Sequence, residues 1–156
     1  MLIVGCGCRG RALAGALTSE GHMVRGTTRD PAALAAIAAT GVEGVVADPD
    51  RLGTLMPALV GVSAICWLLG SVRDGPELHG DRLRTLMERL VDTPVRGFVY
   101  EAAGAAGAEL LDRGADVVRR ASETWRMPVE IVREDPAPHD AWLASMNAAV
   151  ARLLVK

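Results

Sequence analysis

The stretch that most constrains this chain is its start, where Leu2-Ile-Val4 runs directly into Gly5-Cys-Gly7-Cys-Arg-Gly10. An Ala/Leu-rich segment follows, with Leu13 and Leu17 four apart, and Gly21 stops it. A second strand candidate, Met23 to Thr28, comes next. Strand, glycine turn, helix and strand in that order make a dinucleotide-binding βαβ unit. Gly5 permits the tight turn, Gly7 lets the backbone approach a diphosphate, and Gly10 lets the helix pack closely on the strand. The helix start offers free N–H groups and partial positive charge, so Gly5, Gly7, Cys8, Arg9 and Gly10 are the expected phosphate contacts. The same turn also suits S-adenosylmethionine, another nucleotide, or an α/β protein that has lost its ligand.

The rest of the chain repeats the alternation. Asp30-Pro31 reads as N-cap and first residue of a helix over 32–39 that ends at Gly41. Val42 to Ala47 is strand three, and Asp48-Pro-Asp50 caps a helix holding Leu52, Leu55, Met56 and Leu59. Val62 to Leu69 is almost unbroken apolar, as a strand covered on both faces should be. A helix over 76–91 buries Leu83, Leu86, Met87 and Leu90, and Phe98-Val-Tyr100 ends strand five. A helix over 108–125 carries Leu111, Val118, Ala121 and Trp125 on one stripe. Val129 to Arg133 is strand six, and Trp142, Met146, Ala149 and Leu153 line the last helix. Six strands alternating with helices predict a three-layer α/β fold, a doubly wound parallel Rossmann sheet in the order 3-2-1-4-5-6.

With 156 residues the chain is expected to form a single domain, without a separate substrate domain. A formal charge of −2 and no long basic run argue against a nucleic-acid partner. The longest apolar stretch, Ala58 to Leu69, is broken by Gly61 and Ser63 and falls short of the ~18 residues of a membrane span. No basic segment precedes the first apolar run, so no signal peptide or membrane association is expected and the location expected is the cytoplasm. Cys6, Cys8 and Cys66 are an odd number and lack metal-ligand spacing, so reduced thiols and no metal are expected. Cys8, beside a helix start, is the one whose thiol that position would activate.

The end of strand two chooses between the nicotinamide cofactors. A carboxylate there bonds the ribose 2′-OH of NAD, whereas an Arg accommodates the 2′-phosphate of NADP. Thr28 occupies the acid's usual place and Arg29 follows it, with Arg9 and Arg11 adding positive charge. Asp30 lies about 20 residues past Gly10, where an acid can also serve, but Pro31 makes it a helix cap. NADP is therefore the expected cofactor, with NAD the alternative.

Gly5-Cys-Gly-Cys-Arg-Gly10, Gly21 to Arg29, Val46-Ala-Asp48, Gly97-Phe-Val-Tyr100 and Pro128 to Arg133 together resemble the short-chain dehydrogenase/reductases. The nearest subtype is the atypical, extended-like group of NAD(P)-dependent epimerase/dehydratase relatives and NmrA-like proteins. That resemblance implies that Asp48 holds the adenine ring and that the loop after Leu69 passes the nicotinamide ribose. It also implies catalysis by Tyr-x-x-x-Lys with a Ser after strand five. Here Tyr100 is the only Tyr, Lys156 the only Lys, Gly104 stands four after Tyr100, and Glu101-Ala-Ala replaces the Ser. Two readings stand: a small NADP-dependent oxidoreductase with non-standard acid/base residues acting on an unidentified substrate, or a non-catalytic dinucleotide-sensing module of NmrA-like type. For catalysis the candidates are Glu101, directly after strand five, and His79, expected at the cleft rim on the inward face of its helix. His139, in a Pro-rich loop, is a weaker third. The resemblance also implies a homodimer through 76–91 and 108–125, with Leu110 and Val117 spare for the contact.

Overall fold

Residues 1–155 are described by a computed structural model; Lys156, the chain's one lysine, lies outside the described residues. Each apolar run is long enough for one short parallel strand: β1 Leu2–Val4, β2 Arg25–Thr28, β3 Glu43–Val46, β4 Ile65–Trp67, β5 Phe98–Glu101 and β6 Val129–Val132. They form one sheet in the order β3-β2-β1-β4-β5-β6, every neighbour parallel. Between them lie α1 Cys8–Ser19, α2 Leu34–Ala38, α3 Leu52–Leu55, α4 Asp81–Leu90 and α5 Ala108–Trp125, with α6 His139–Leu154 closing the chain.

Two apolar clusters sandwich the sheet. Leu13 and Leu17 of α1, Ile37 of α2 and Trp142, Met146 and Ala149 of α6 pack with Ile3, Cys66 and Val99 on one face. Leu55 of α3, Leu83 and Leu86 of α4 and Val118 of α5 pack with Val4, Trp67, Phe98 and Tyr100 on the other. This is the expected three-layer α/β fold. Each fully buried leucine contributes about 1.5–3 kcal/mol. Strand period decides what faces where: Phe98 and Tyr100 point to the α4/α5 side, so Glu101 follows Val99 toward α1 and α6.

Several boundaries differ from expectation. The helix expected over 76–91 is a 3-10 turn, Pro76–His79, and then α4, broken at Gly80 (φ −132°, ψ −113°). The second and third helices are short, each continued by a 3-10 turn, Pro31–Ala33 and Met56–Leu59. Asp30 does cap its turn, its side chain accepting from Ala32 N–H. Asp48 and Asp50 do not cap α3: its N-cap is Arg51, with no side-chain bond, while Asp48 Oδ1 accepts from Asp50 N–H at 2.9 Å. Trp125, expected in the buried stripe of α5, is 37% exposed, because it ends the helix where left-handed Arg126 (φ 54°) turns the chain away. Gly21 (φ +91°) ends α1 as expected, with His22 N–H bonding Leu17 C=O and Gly21 N–H bonding Thr18 C=O, a Schellman closure.

Candidate functional site

β1 and β4 leave in opposite directions across the sheet, and a cleft of about 340 Å³ opens over their carboxyl ends. Its floor is the Gly5–Arg11 turn; Thr27, Thr28, Arg29 and Ala33 form one side, and Leu68, Leu69, Val72 and Leu78 the other. Glu101 and Trp142 close the far end.

The glycine turn fits a phosphate-bearing ligand. Gly5 has φ +83°, and a side chain there would meet the Leu68 carbonyl oxygen at 2.6 Å. A Cβ on Gly10 would come within 2.9 Å of the Gly5 oxygen, so helix and turn touch only because it is absent. Gly7 is the N-cap of α1, no side chain caps that first turn, and a Cβ on Gly7 would point into open space. The helix start is therefore open to an anion. Cys8 is exposed and Arg9 half-buried beside it, so the five expected phosphate contacts share this turn.

At the end of β2, Arg29 is exposed, lines the cleft, and has no hydrogen bond or ion pair among the described residues. The Thr28 hydroxyl is occupied by its own turn, accepting from Asp30 N–H at 3.1 Å and donating to Asp30 C=O at 3.3 Å. Leu69 lines the cleft. Asp48 does not: Ala47 and Pro49 on either side of it do.

Glu101 is 1% exposed at the end of β5. Its Oε1 accepts from Gly70 N–H at 2.9 Å and its Oε2 from Trp142 Nε1–H at 2.8 Å. Burial raises its pKa above the usual carboxylate range, and the Gly70 N–H, the Arg9 charge and the Trp142 N–H pull it back only in part. Arg9 stands over the Trp142 ring, 5.7 Å from its centre.

His79, expected at the rim, is instead wholly buried beneath it, because Gly80 lets the 3-10 turn fold inward before α4 begins. Its Nε2 lies 3.1 Å from Leu69 C=O and its Nδ1 2.6 Å from the Tyr100 hydroxyl. A carbonyl only accepts, so Nε2 carries the proton and Nδ1 accepts from Tyr100. Burial lowers the His79 pKa and raises that of Tyr100. His139 is exposed as the first residue of α6, its ring stacked on Trp142 at 6.1 Å. Cys6 and Cys66 are buried free thiols, their pKa values pushed up to about 11 and about 12 by loss of solvent.

Trp142 lines the cleft, and Ser71 accepts a hydrogen bond from its Arg9 at 2.6 Å; neither is a site residue in the sequence reading. Trp142 reads there as one more apolar residue of the last helix, and its indole N–H gave no signal. Ser71 lies in a loop with no periodicity.

Sheet order, glycine turn and cleft at the strand reversal make this a Rossmann-type α/β fold. In structure the chain is similar to UDP-glucuronic acid 4-epimerase from Bacillus cereus, solved with NAD (TM-score 0.67, 14% identity over 85% of this chain and 55% of that one). It is also similar to triphenylmethane reductase of Citrobacter sp., solved with NADP(H) (TM-score 0.66, 18% identity, 85% of this chain and 48% of that one). The anaerobillin reductase of Escherichia coli O157:H7 is a third (TM-score 0.61, 16% identity, 85% and 70%). This chain thus spans about half the length of the first two. At these identities the likeness carries the fold. No family model and no curated protein matches the sequence. No helix among the described residues is long and apolar enough to cross a membrane.

Proposed function

We propose that the cleft binds a nicotinamide dinucleotide, NADP in preference to NAD, and that the chain is a small oxidoreductase. The observation that carries this reading is the uncapped first turn of α1 opening into the cleft, with Arg29, unpaired among the described residues, at the end of β2. The solved structures with NAD and NADP(H) that share the fold support it. The Gly5–Gly10 backbone with Cys8 and Arg9 would hold the diphosphate, Arg29 beside Thr28 the 2′-phosphate, and Leu69 the ribose beyond. The adenine would lie toward Ala47 and Pro49, which line the cleft on either side of Asp48, the residue to which the family resemblance gives it. When bound, the dinucleotide supplies hydride transfer. Glu101, at the far end of the cleft, would exchange a proton with a substrate there, burial favouring its neutral form. His79 acts only as a positioning residue, since it does not line this cleft and holds the Leu69 carbonyl and the Tyr100 hydroxyl instead.

A second reading, a non-catalytic dinucleotide sensor, is favoured by two features: Tyr100 is wholly buried with its hydroxyl on His79, and both Glu101 oxygens are taken. A homodimer through α4 and α5 belongs to either reading. Between them runs a groove with half-buried Leu110 and Val117 and with Met87 and Trp125, its edge charged by Arg113 and Asp116.

Calorimetric titration with NADPH and NADH tests the cofactor: binding, tighter for NADPH, is expected, and no binding of either overturns the reading. Turnover of NADPH across a carbonyl panel then separates enzyme from sensor.

A further inference from the structure

A second cleft of about 520 Å³ lies beside the first, over the ends of β5 and β6. Its floor is small, Ala102 to Ala105 with Ala108, and Arg133 and Asp135 stand at its rim. Arg9 lines both clefts, Ser71 lines the second, and Arg9 Nη2 donates to Ser71 Oγ at 2.6 Å. The guanidinium thus stands between the two. Behind it Trp142 Nε1–H is fixed on Glu101, and the Trp142 ring, wholly buried, supports Arg9 from below.

The hold on Arg9 is incomplete. The Ser71 hydroxyl is its one hydrogen-bond partner among the described residues, and its Nε is buried without any. Arg9 also belongs to the first turn of α1, where the diphosphate of the proposed ligand would sit. A guanidinium bonds a phosphate more strongly than a neutral hydroxyl, through two parallel N–H groups at once.

Building on the dinucleotide reading, we propose that the Arg9–Ser71 bond is a partition between the two clefts that a nucleoside diphosphate bound in the first would open. The diphosphate opens it by drawing Arg9 off Ser71. Nucleotide binding and access to the second cleft are then one event, and Ser71 weakens nucleotide binding by holding Arg9 in the closed state.

Titration of the full chain with ADP tests this, followed by calorimetry and by acrylamide quenching of tryptophan fluorescence, with Trp142→Phe identifying the contribution of that ring. Expected are an increase in Trp142 quenching on ADP binding and, in Ser71→Ala, ADP affinity about three- to tenfold higher, the worth of one hydrogen bond. Ser71→Ala should also show the raised quenching before ADP is added. Arg9→Ala should weaken ADP binding about tenfold or more. Unchanged or weaker ADP binding in Ser71→Ala, or quenching indifferent to ADP, overturns the partition and leaves the nucleotide reading standing. Failure of the wild type to bind ADP, NADPH or NADH overturns both.

Discussion

His79 and Glu101 grip the two sides of a single peptide unit. His79 Nε2–H donates to the carbonyl of Leu69, and Glu101 Oε1 accepts the N–H of Gly70, the other half of the same peptide. The two side chains reach it from opposite faces of the sheet: His79 lies with Tyr100 on the α4/α5 side, Glu101 with Trp142 on the α1/α6 side. The loop leaving β4, which forms one wall of the cleft, is thereby fixed before any ligand arrives.

Glu101 should give the fold a characteristic pH dependence. Its folded pKa is raised, so its favourable contribution is fully present below the ordinary carboxylate value of 4.5 and is lost as pH rises through the folded value. The stability of wild type relative to Glu101→Gln should therefore fall as pH is raised above 4.5. Thermal unfolding of both proteins across that range measures it, with His79 cancelling in the difference. A constant difference would mean that the carboxyl titrates alike in folded and unfolded chains.

His79 has the opposite sign. Its folded pKa is lowered, so the stability it lends is complete above its ordinary value of 6.5 and is lost as pH falls below it. His79→Leu leaves the Tyr100 hydroxyl buried without a partner, at about 1–3 kcal/mol, while the Leu69 carbonyl keeps its bond from Val72 N–H at 3.2 Å. Urea unfolding near pH 8 should show the full loss, and the gap to wild type should narrow at about pH 5.5. Tyr100→Phe in the same background completes a double-mutant cycle, and a coupling near zero would count against the hydrogen bond.

Two glycines should respond oppositely to alanine. A Cβ on Gly70 would lie 2.2 Å from the Ala103 carbonyl and 2.8 Å from Glu101 Oε1, so Gly70→Ala should cost about 1–3 kcal/mol and weaken nucleotide binding by displacing the cleft wall. Gly15, inside α1, has nothing within 4 Å of its would-be Cβ, and Gly15→Ala should stabilise by about 0.5–1 kcal/mol through helix propensity. Chemical denaturation of both variants checks the pair. A neutral Gly70→Ala would show that the loop can yield.

Arg29 is expected to carry the preference for NADPH. A charge-assisted bond to the 2′-phosphate is worth about 1.5–3 kcal/mol, roughly tenfold to a hundredfold in affinity. Calorimetry with Arg29→Ala should show that loss for NADPH and little change for NADH. Equal wild-type affinities would return the choice of cofactor to Asp30.

The sequence by itself determined the layers, the sheet order and the position of the cleft, because these rest on local signals. Apolar runs of strand length, helical spacing in Leu13/Leu17 and Leu83/Leu86, the turn at Gly5–Gly10 and the Asp30-Pro31 cap each act over a few residues. It also placed Glu101 at the cleft, since the residue after a parallel strand must lie on that side. Only the tertiary structure decided what those residues meet. His79 went under the rim rather than onto it because Gly80 broke the expected helix, and Tyr100 and Leu69 then took both its nitrogens. Trp142 and Glu101, Arg9 and Ser71, and the shared Leu69–Gly70 peptide are contacts between segments far apart in the chain. Periodicity tells which face a side chain takes; only the packing of one face against another tells which donor finds which acceptor.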